Sequence, residues 1–521
     1  MFDILIKNGT VIDGTGKPGF LGDVGIKDGL IEAVGQIGGG EGKKIIAGEG
    51  LYVTPGFIDV TNHSDVTASI FERGRLDSLI RQGITTIIGG NCGVSLAPLI
   101  EADLIHAIRK FAPTSSINVN WQSVAEFLSE IEKLHLPINF ATLAGHNTIR
   151  RGILHERGDP MTLEELAETR LLLQQALRDG ALGFSTNLSS AHEHYVLTDE
   201  LVEICRVMAA EGGVYKTHLR DEGSDLIVSI NEALRIGAEA GVPVSISHLK
   251  AIGRKSWPLM KQGIHMIENN AREGHKVVFD VSPYASTGSQ LYMLLPAWAK
   301  AGGFAAMLER LKDFQTKSKI IAELDGMSLH FDLLRVAEAG DGVSSGSTIA
   351  ELGRRMGLDA KEAMIELLIA NRGRISIVGK TLHHKNIELG IISPYSMVAS
   401  NGSGYSFESA KSRPHPRSFG AFPHFLHSYV KDKKLISWEE AIAKITSLPA
   451  SFLGIKNRGR IEKRYAADIV LFRPDELRDQ ATYKNPYRAP VGIEQVMVNG
   501  RIVFEHSAVT AESPGEIIKK A

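Results

Sequence analysis

A chain of 521 residues, 43% hydrophobic and 23% charged, can bury a large core and still carry an accessory unit. Its formal net charge of -2 leaves no excess of either sign to hold nucleic acid or an anionic membrane, so a small-molecule partner is expected instead. With only Cys92 and Cys205, a disulfide framework is excluded, and each thiol has to be judged alone.

The start, MFDILIKNGTVIDG, alternates and is punctuated by glycine, without the apolar middle and cleavage site of a signal peptide, and no later run approaches a membrane span. A cytoplasmic protein is the expectation. Short alternating runs with turns between them fill residues 1–54, and the same texture returns over 456–521, where Asn499 and Gly500 mark a hairpin. Both ends are therefore predicted to build one small β-domain, a β-sandwich, around a different middle.

That middle, 55–455, alternates apolar runs with helix-period segments. The runs are 56–60, 84–90, 138–145, 181–186, 213–218, 242–248, 276–284 and 396–400. Between several of them lie amphipathic helices, such as the one opened by a Thr162 cap. The pattern predicts an α/β fold, a (β/α)8 TIM-like barrel, with an open doubly wound sheet as the alternative. The interval from the seventh run to the eighth is too long for a βα connection, so an insertion over about 284–347 is expected above the barrel mouth. Cys205, inside DELVEICRVMAAEG, reads as a core residue.

In such a barrel, residues just past the strand ends line one mouth, and four of these runs end at His63, Cys92, His218 and His248. Thiolate and imidazole are zinc ligands. A lone strand-end histidine is more often structural, but their recurrence at one mouth favours a metal for His218 and His248, with Cys92 in GGNCGVS as the thiolate partner.

Over almost its whole length the chain resembles the amidohydrolase superfamily and, within it, the N-acyl-D-amino acid deacylases (D-aminoacylases). The resemblance is carried by VIDGTG, VTPGFID, GITTIIGGNCG, GALGFST, YKTHLRDE, VSISHLK, DVSPY, RPHPRSFGAFPHFL, ITSLPASFLGI, AADIVLF and VMVNGRIV. It implies the barrel, the small β-domain from both termini, and a zinc site that deacylates N-acyl-D-amino acids beneath the inserted segment. Cys92, His218 and His248 match the ligands of the tightly held zinc, and one Zn2+ per chain is expected. Lys250 and Arg417 match residues that hold the substrate carboxylate, and Tyr284 and Ser289 match further substrate contacts.

The family's second, weaker metal position uses both histidines of a His-x-His, the cysteine, and an aspartate at the eighth strand. Here Thr61 replaces the first histidine, leaving His63, and Asn401 replaces the aspartate. Both departures fall on that position, which reads as a mononuclear site. Asn401 has nearly the shape of aspartate yet cannot serve as general base, so His63 and Asn401 are expected to position water or the oxyanion. Asp65, Glu222 and Asp280 are candidate replacement bases by position. Asn401 is either an engineered change or a natural one, and only the latter accounts for Thr61 as well.

Where the family has Tyr and Pro after GFST, this chain has NLSSAHEHY, so a different acyl pocket is expected, with His192 and His194 as substrate contacts or exposed loop residues. The expected activity is zinc-dependent hydrolysis of N-acyl-D-amino acids. The alternatives are non-hydrolytic chemistry on the same scaffold (a lyase, a transferase or an amide-forming enzyme), a noncatalytic binding homologue, or a cyclic amidase such as a dihydropyrimidinase.

Overall fold

Neighbouring apolar residues point in opposite directions along each predicted strand, and this alternation builds the middle of the molecule. The computed structural model describes residues 1–521 apart from 39–40, 73, 75, 102–103, 106–118, 156, 327–328, 340–344, 409–412 and 521. Eight parallel strands appear where they were expected: β1 Phe57–Asp59, β2 Ile84–Gly89, β3 Asn139–Thr142, β4 Gly183–Asn187, β5 Val214–His218, β6 Val244–Ile246, β7 Val277–Val281 and β8 Ser396–Val398. β1, β2 and β3 pair in sequence order, and Ala144–Gly145, continuing β3, pairs with β4. β4 to β8 then follow in order.

The ring closes between β8 and β1. Asn62 bridges Gly402 in parallel, and the Ser400 amide donates to Asp59 Oδ1 at 2.9 Å. Ile58, Ile88, Ala141, Val214, Val278 and Met397 form one buried cluster, whereas their neighbours Phe57, Ile87, Phe140, Tyr215 and Phe279 join the core under the helices. Period-2 alternation thus separates the barrel interior from its jacket.

Both chain ends contribute to one nine-stranded sheet that has its own core, including Ile4, Ile6, Val24, Leu471 and Met497. Its Ile493–Val498 and Arg501–Glu505 strands turn at Asn499 (φ 47) and Gly500 (φ 74), the positive-φ pair of a type I′ hairpin. The Leu163–Arg178 helix begins in a Thr162/Glu165 capping box, and Cys205 is fully buried in the Thr198–Glu211 helix.

The insertion is longer than 284–347. Thr287–Gln290, Leu334–Glu338 and Ser376–Gly379 form a separate antiparallel sheet. Helices Ile349–Met356 and Ala360–Ala370 pack into its core through Ile349, Met364 and Leu368. In sequence those helices cannot be told from barrel helices, which placed the expected boundary too early.

Candidate active site

Cys92, His218 and His248 come from the ends of three strands and meet at one point. One ligand atom from each lies within 4.8 Å of the others, with Cys92 Sγ 3.4 Å from His248 Nε2. All three are buried. Burial alone would raise the Cys92 thiol, but the charge of His248 and hydrogen bonds from His218, His248 and His63 hold it well below the usual thiol range. A thiolate between two imidazoles is a donor set that fits zinc.

The turn carrying Cys92 requires its glycines. A Cβ on Gly90 (φ +68) would sit 2.0 Å from Leu143 O, and Gly93 (φ +72) packs against Glu193. The Gly90 amide donates to Asp65 Oδ2 at 2.6 Å and the Gly93 amide to Ser185 Oγ at 3.0 Å. Cys92 (φ 54), His248 (φ 38) and Asn401 (φ 51) all adopt left-handed backbone, a conformation that collects at functional sites.

One carboxylate serves both histidines. Glu222 Oε2 is 3.4 Å from His218 Nε2, and Glu222 Oε1 is 3.3 Å from His248 Nδ1. Burial would raise Glu222, yet the charges of His218 and Lys250 and the histidine hydrogen bonds hold it well below the carboxylate range. Burial would likewise lower His218, and Glu222 together with Cys92 raises it instead. Ser189 Oγ lies 3.1 Å from His218 Nε2. Lys250 donates to Glu222 Oε1 and sits 2.8 Å from His248 Nδ1, so its ammonium is engaged inside the site.

Of the three candidate bases, only Glu222 lines the cavity at the mouth. Asp65 holds the Cys92 turn, and Asp280 accepts from the His248 amide at 2.9 Å and from Thr61 Oγ1 at 2.9 Å. His63 Nε2 donates to Asn401 Oδ1 at 2.9 Å, which brings the two expected positioning residues together.

The cavity, about 1350 Å3, is lined by the barrel mouth and by the insertion. Arg417 opens the helix Arg417–His424, which kinks at Gly420 and runs into a π-helical turn, Phe425–Asp432. Its guanidinium donates to Gly288 O at 3.2 Å, and among the described residues it has no carboxylate partner. Burial pushes it down to about 10. The buried Tyr284 hydroxyl finds no hydrogen-bond partner among the described residues, and its ring stacks on His424 at 4.5 Å. Ser289 lines the same cavity. His192 lines it too, whereas His194 is only half-buried; burial, then the charges of Lys300 and Arg220, push it down to about 4.

Sequence reasoning missed Ser189 and Lys216. Lys216 is 1% exposed and sits on β5 between inward Val214 and His218; that spacing of two was the available signal.

A barrel whose mouth gathers a thiol and two imidazoles beneath an inserted cap defines a metal-dependent hydrolase architecture. A model described as the Amidohydrolase family matches residues 410–504. The D-aminoacylase of Alcaligenes xylosoxydans xylosoxydans is 31% identical over 100% of this chain and 98% of its own. The N-acyl-D-aspartate deacylase of the same organism is 30% identical over 99% and 95%. The crystal structure of N-acyl-D-glutamate deacylase from Bordetella bronchiseptica, complexed with zinc and a phosphonate mimic of the tetrahedral intermediate, matches with TM-score 0.84 and 28% identity, covering 100% of both chains. A D-aminoacylase structure described by one-metal activation and second-metal attenuation of a binuclear centre matches at 0.83, also 28% identical over 100% of both. The chain belongs to the amidohydrolase family, in its D-aminoacylase branch, and is an enzyme of that class.

Proposed function

We propose that this chain hydrolyses the amide bond of N-acyl-D-amino acids at a mononuclear zinc site formed by Cys92, His218 and His248. The observation that carries the reading is the convergence of those three ligand atoms, with the thiol held well below its usual range. Zinc bound there supplies a Lewis acid that polarises the scissile carbonyl and acidifies water. The relative described as activated by one metal and attenuated by a second is consistent with a one-metal site.

The chain's own residues do the rest. Glu222 holds both imidazole rings, and His248, touched by it at Nδ1, turns Nε2 toward Cys92. Arg417 and Tyr284 offer a half-buried cation and a buried hydroxyl to the substrate carboxylate, with Ser289 on the same wall and Lys250 beside Glu222. With Nε2–H given to Asn401, His63 is held in one tautomer, ready to orient water or the developing oxyanion. This work falls to a barrel spanning 55–455, with the accessory β-domain drawn from 1–54 and 456–521.

Asn401 also favours a second reading, binding without hydrolysis, because an amide cannot take the proton that an aspartate would. Incubating zinc-loaded protein with N-acetyl-D- and N-acetyl-L-amino acids separates the two. Release of free amine from D substrates, abolished by a chelator and by Cys92→Ala, supports hydrolysis. Saturable binding without amine release supports the second reading.

A further inference from the structure

Of the two metal positions that the resemblance implies, only the one built on Cys92, His218 and His248 has a donor set that fits an ion. At the other, Thr61 supplies a hydroxyl that is already used twice. It donates to Asp280 Oδ2 at 2.9 Å and accepts from Lys216 Nζ at 2.6 Å. Asn401 is neutral, and its Oδ1 is taken by His63 Nε2.

Lys216 explains why that position is occupied in this way. Its side chain points into the barrel, 1% exposed, one step below His218 on the same face of β5. Its three ammonium protons meet three acceptors: Val60 O at 2.5 Å, Thr61 Oγ1 at 2.6 Å and Asp280 Oδ2 at 3.3 Å. The group is therefore satisfied as a cation, and the three acceptors are satisfied by it.

We propose that Lys216 is a built-in cation that closes the second metal position, and that Thr61, Asn401 and Lys216 act as one unit to keep the site mononuclear. This rests on the zinc reading of Cys92, His218 and His248. Two consequences follow from the contacts. An imidazole at position 61 would reach past Thr61 Oγ1 into the space held by Lys216 and Asp280, so restoring the histidine alone is blocked by shape. A second ion would also stand near an ammonium that is buried and cannot swing out to water, so restoring both ligands is opposed by charge. The same ammonium holds Asp280, whose other oxygen fixes the His248 amide, so the cation also supports the turn that presents His248.

The test is zinc stoichiometry by mass spectrometry, after dialysis against buffered zinc, on folded protein verified by thermal melting. The wild type and Thr61→His/Asn401→Asp are expected to hold one equivalent. Adding Lys216→Ala to that pair is expected to give two, with the second bound at least a hundredfold more tightly than in the double variant. Should the alanine variant fail to fold because Asp280 loses its partner, Lys216→Ala with Asp280→Asn removes both charges and carries the same expectation. Two equivalents in the wild type, two in the double variant with Lys216 present, or one in the folded variants lacking Lys216 would each overturn the proposal. A wild type holding no zinc would sink the zinc reading and this proposal together. Two equivalents in the wild type, of which Cys92→Ala loses at least one, would sink this proposal alone.

Discussion

Arg417 is a guanidinium enclosed by the cavity wall without a carboxylate among the described residues, and burial has already pushed it down to about 10. A half-buried cation with one backbone acceptor and no counter-charge pays part of the desolvation cost, and a substrate carboxylate would relieve it. Arg417→Met is therefore expected to raise KM for N-acetyl-D-amino acids by roughly a hundredfold, since a charged hydrogen bond contributes about 1.5–3 kcal/mol. Arg417→Lys should recover only part of that, for want of a two-pronged donor. Steady-state kinetics check both, and an unchanged KM would place the carboxylate elsewhere. Asn401 makes the complementary case. Asn401→Asp keeps the left-handed turn and places an ionisable oxygen beside His63 Nε2, so kcat is expected to rise several-fold or more, general acid-base groups contributing about 10²–10⁴. A fall in kcat would show that the neutral amide is what this site requires. At this scale the sequence made Cys92, His218 and His248 legible because each ends a strand on one mouth. It could not reveal that Lys250 leans on Glu222, 28 positions away, or that Lys216 pairs with Asp280, because such contacts exist only once the ring has closed.

The barrel strands were legible as apolar runs because both faces of each strand are buried, one by the barrel interior and the other by helices. Their pairing order followed from chain order. The insertion was only half legible: its helices carry the same 3.6 periodicity as barrel helices, and only strand Ser376–Gly379, pairing back to Thr287–Gln290, reveals where it ends. The helix Trp438–Ile445 shows how an element is fastened to the barrel. Its Lys444 ammonium donates to Ser393 O at 2.5 Å, Ser396 Oγ at 3.0 Å and Ser396 O at 3.2 Å, pinning the start of β8. Burial pushes Lys444 from 10.5 down to about 8. Between those two values the unfolded chain binds more protons than the folded one, so this group makes stability rise with pH across the window, by on the order of 3 kcal/mol, and below about 8 its penalty is complete. Lys444→Met is expected to flatten that rise. Melting temperatures at pH 7.5, 9 and 10.5 check it: the wild type should gain on the variant as pH increases, and parallel curves would mean that the ammonium is not strained by its burial.

For the molecule as a whole, the barrel mouth brings Cys92, His218 and His248 together, and the insertion lines the same cavity. The two are joined at the loop after β4, where the Gly303 amide donates to Ala191 O at 2.7 Å. His192 meets Phe304 edge-on at 5.6 Å between ring centres, and Phe304 meets Tyr292 at 5.1 Å; all three line the cavity. This loop is where NLSSAHEHY departs from the family pattern, so the contact between a divergent loop and the insertion is the natural place for acyl selectivity to be set. Trimming Phe304 to alanine enlarges that wall without touching Cys92, His218 or His248. A methylene accommodated in an apolar pocket changes discrimination by about 1–3 kcal/mol. Phe304→Ala is thus expected to raise kcat/KM for longer N-acyl chains relative to N-acetyl by roughly tenfold, while kcat for the acetyl substrate stays close to wild type. The ratio across a series from acetyl to octanoyl measures this. A uniform loss along the series would mean that Phe304 only holds the insertion in place, whereas a shift confined to the amino acid side chain would move the acyl pocket to the opposite wall of the cavity.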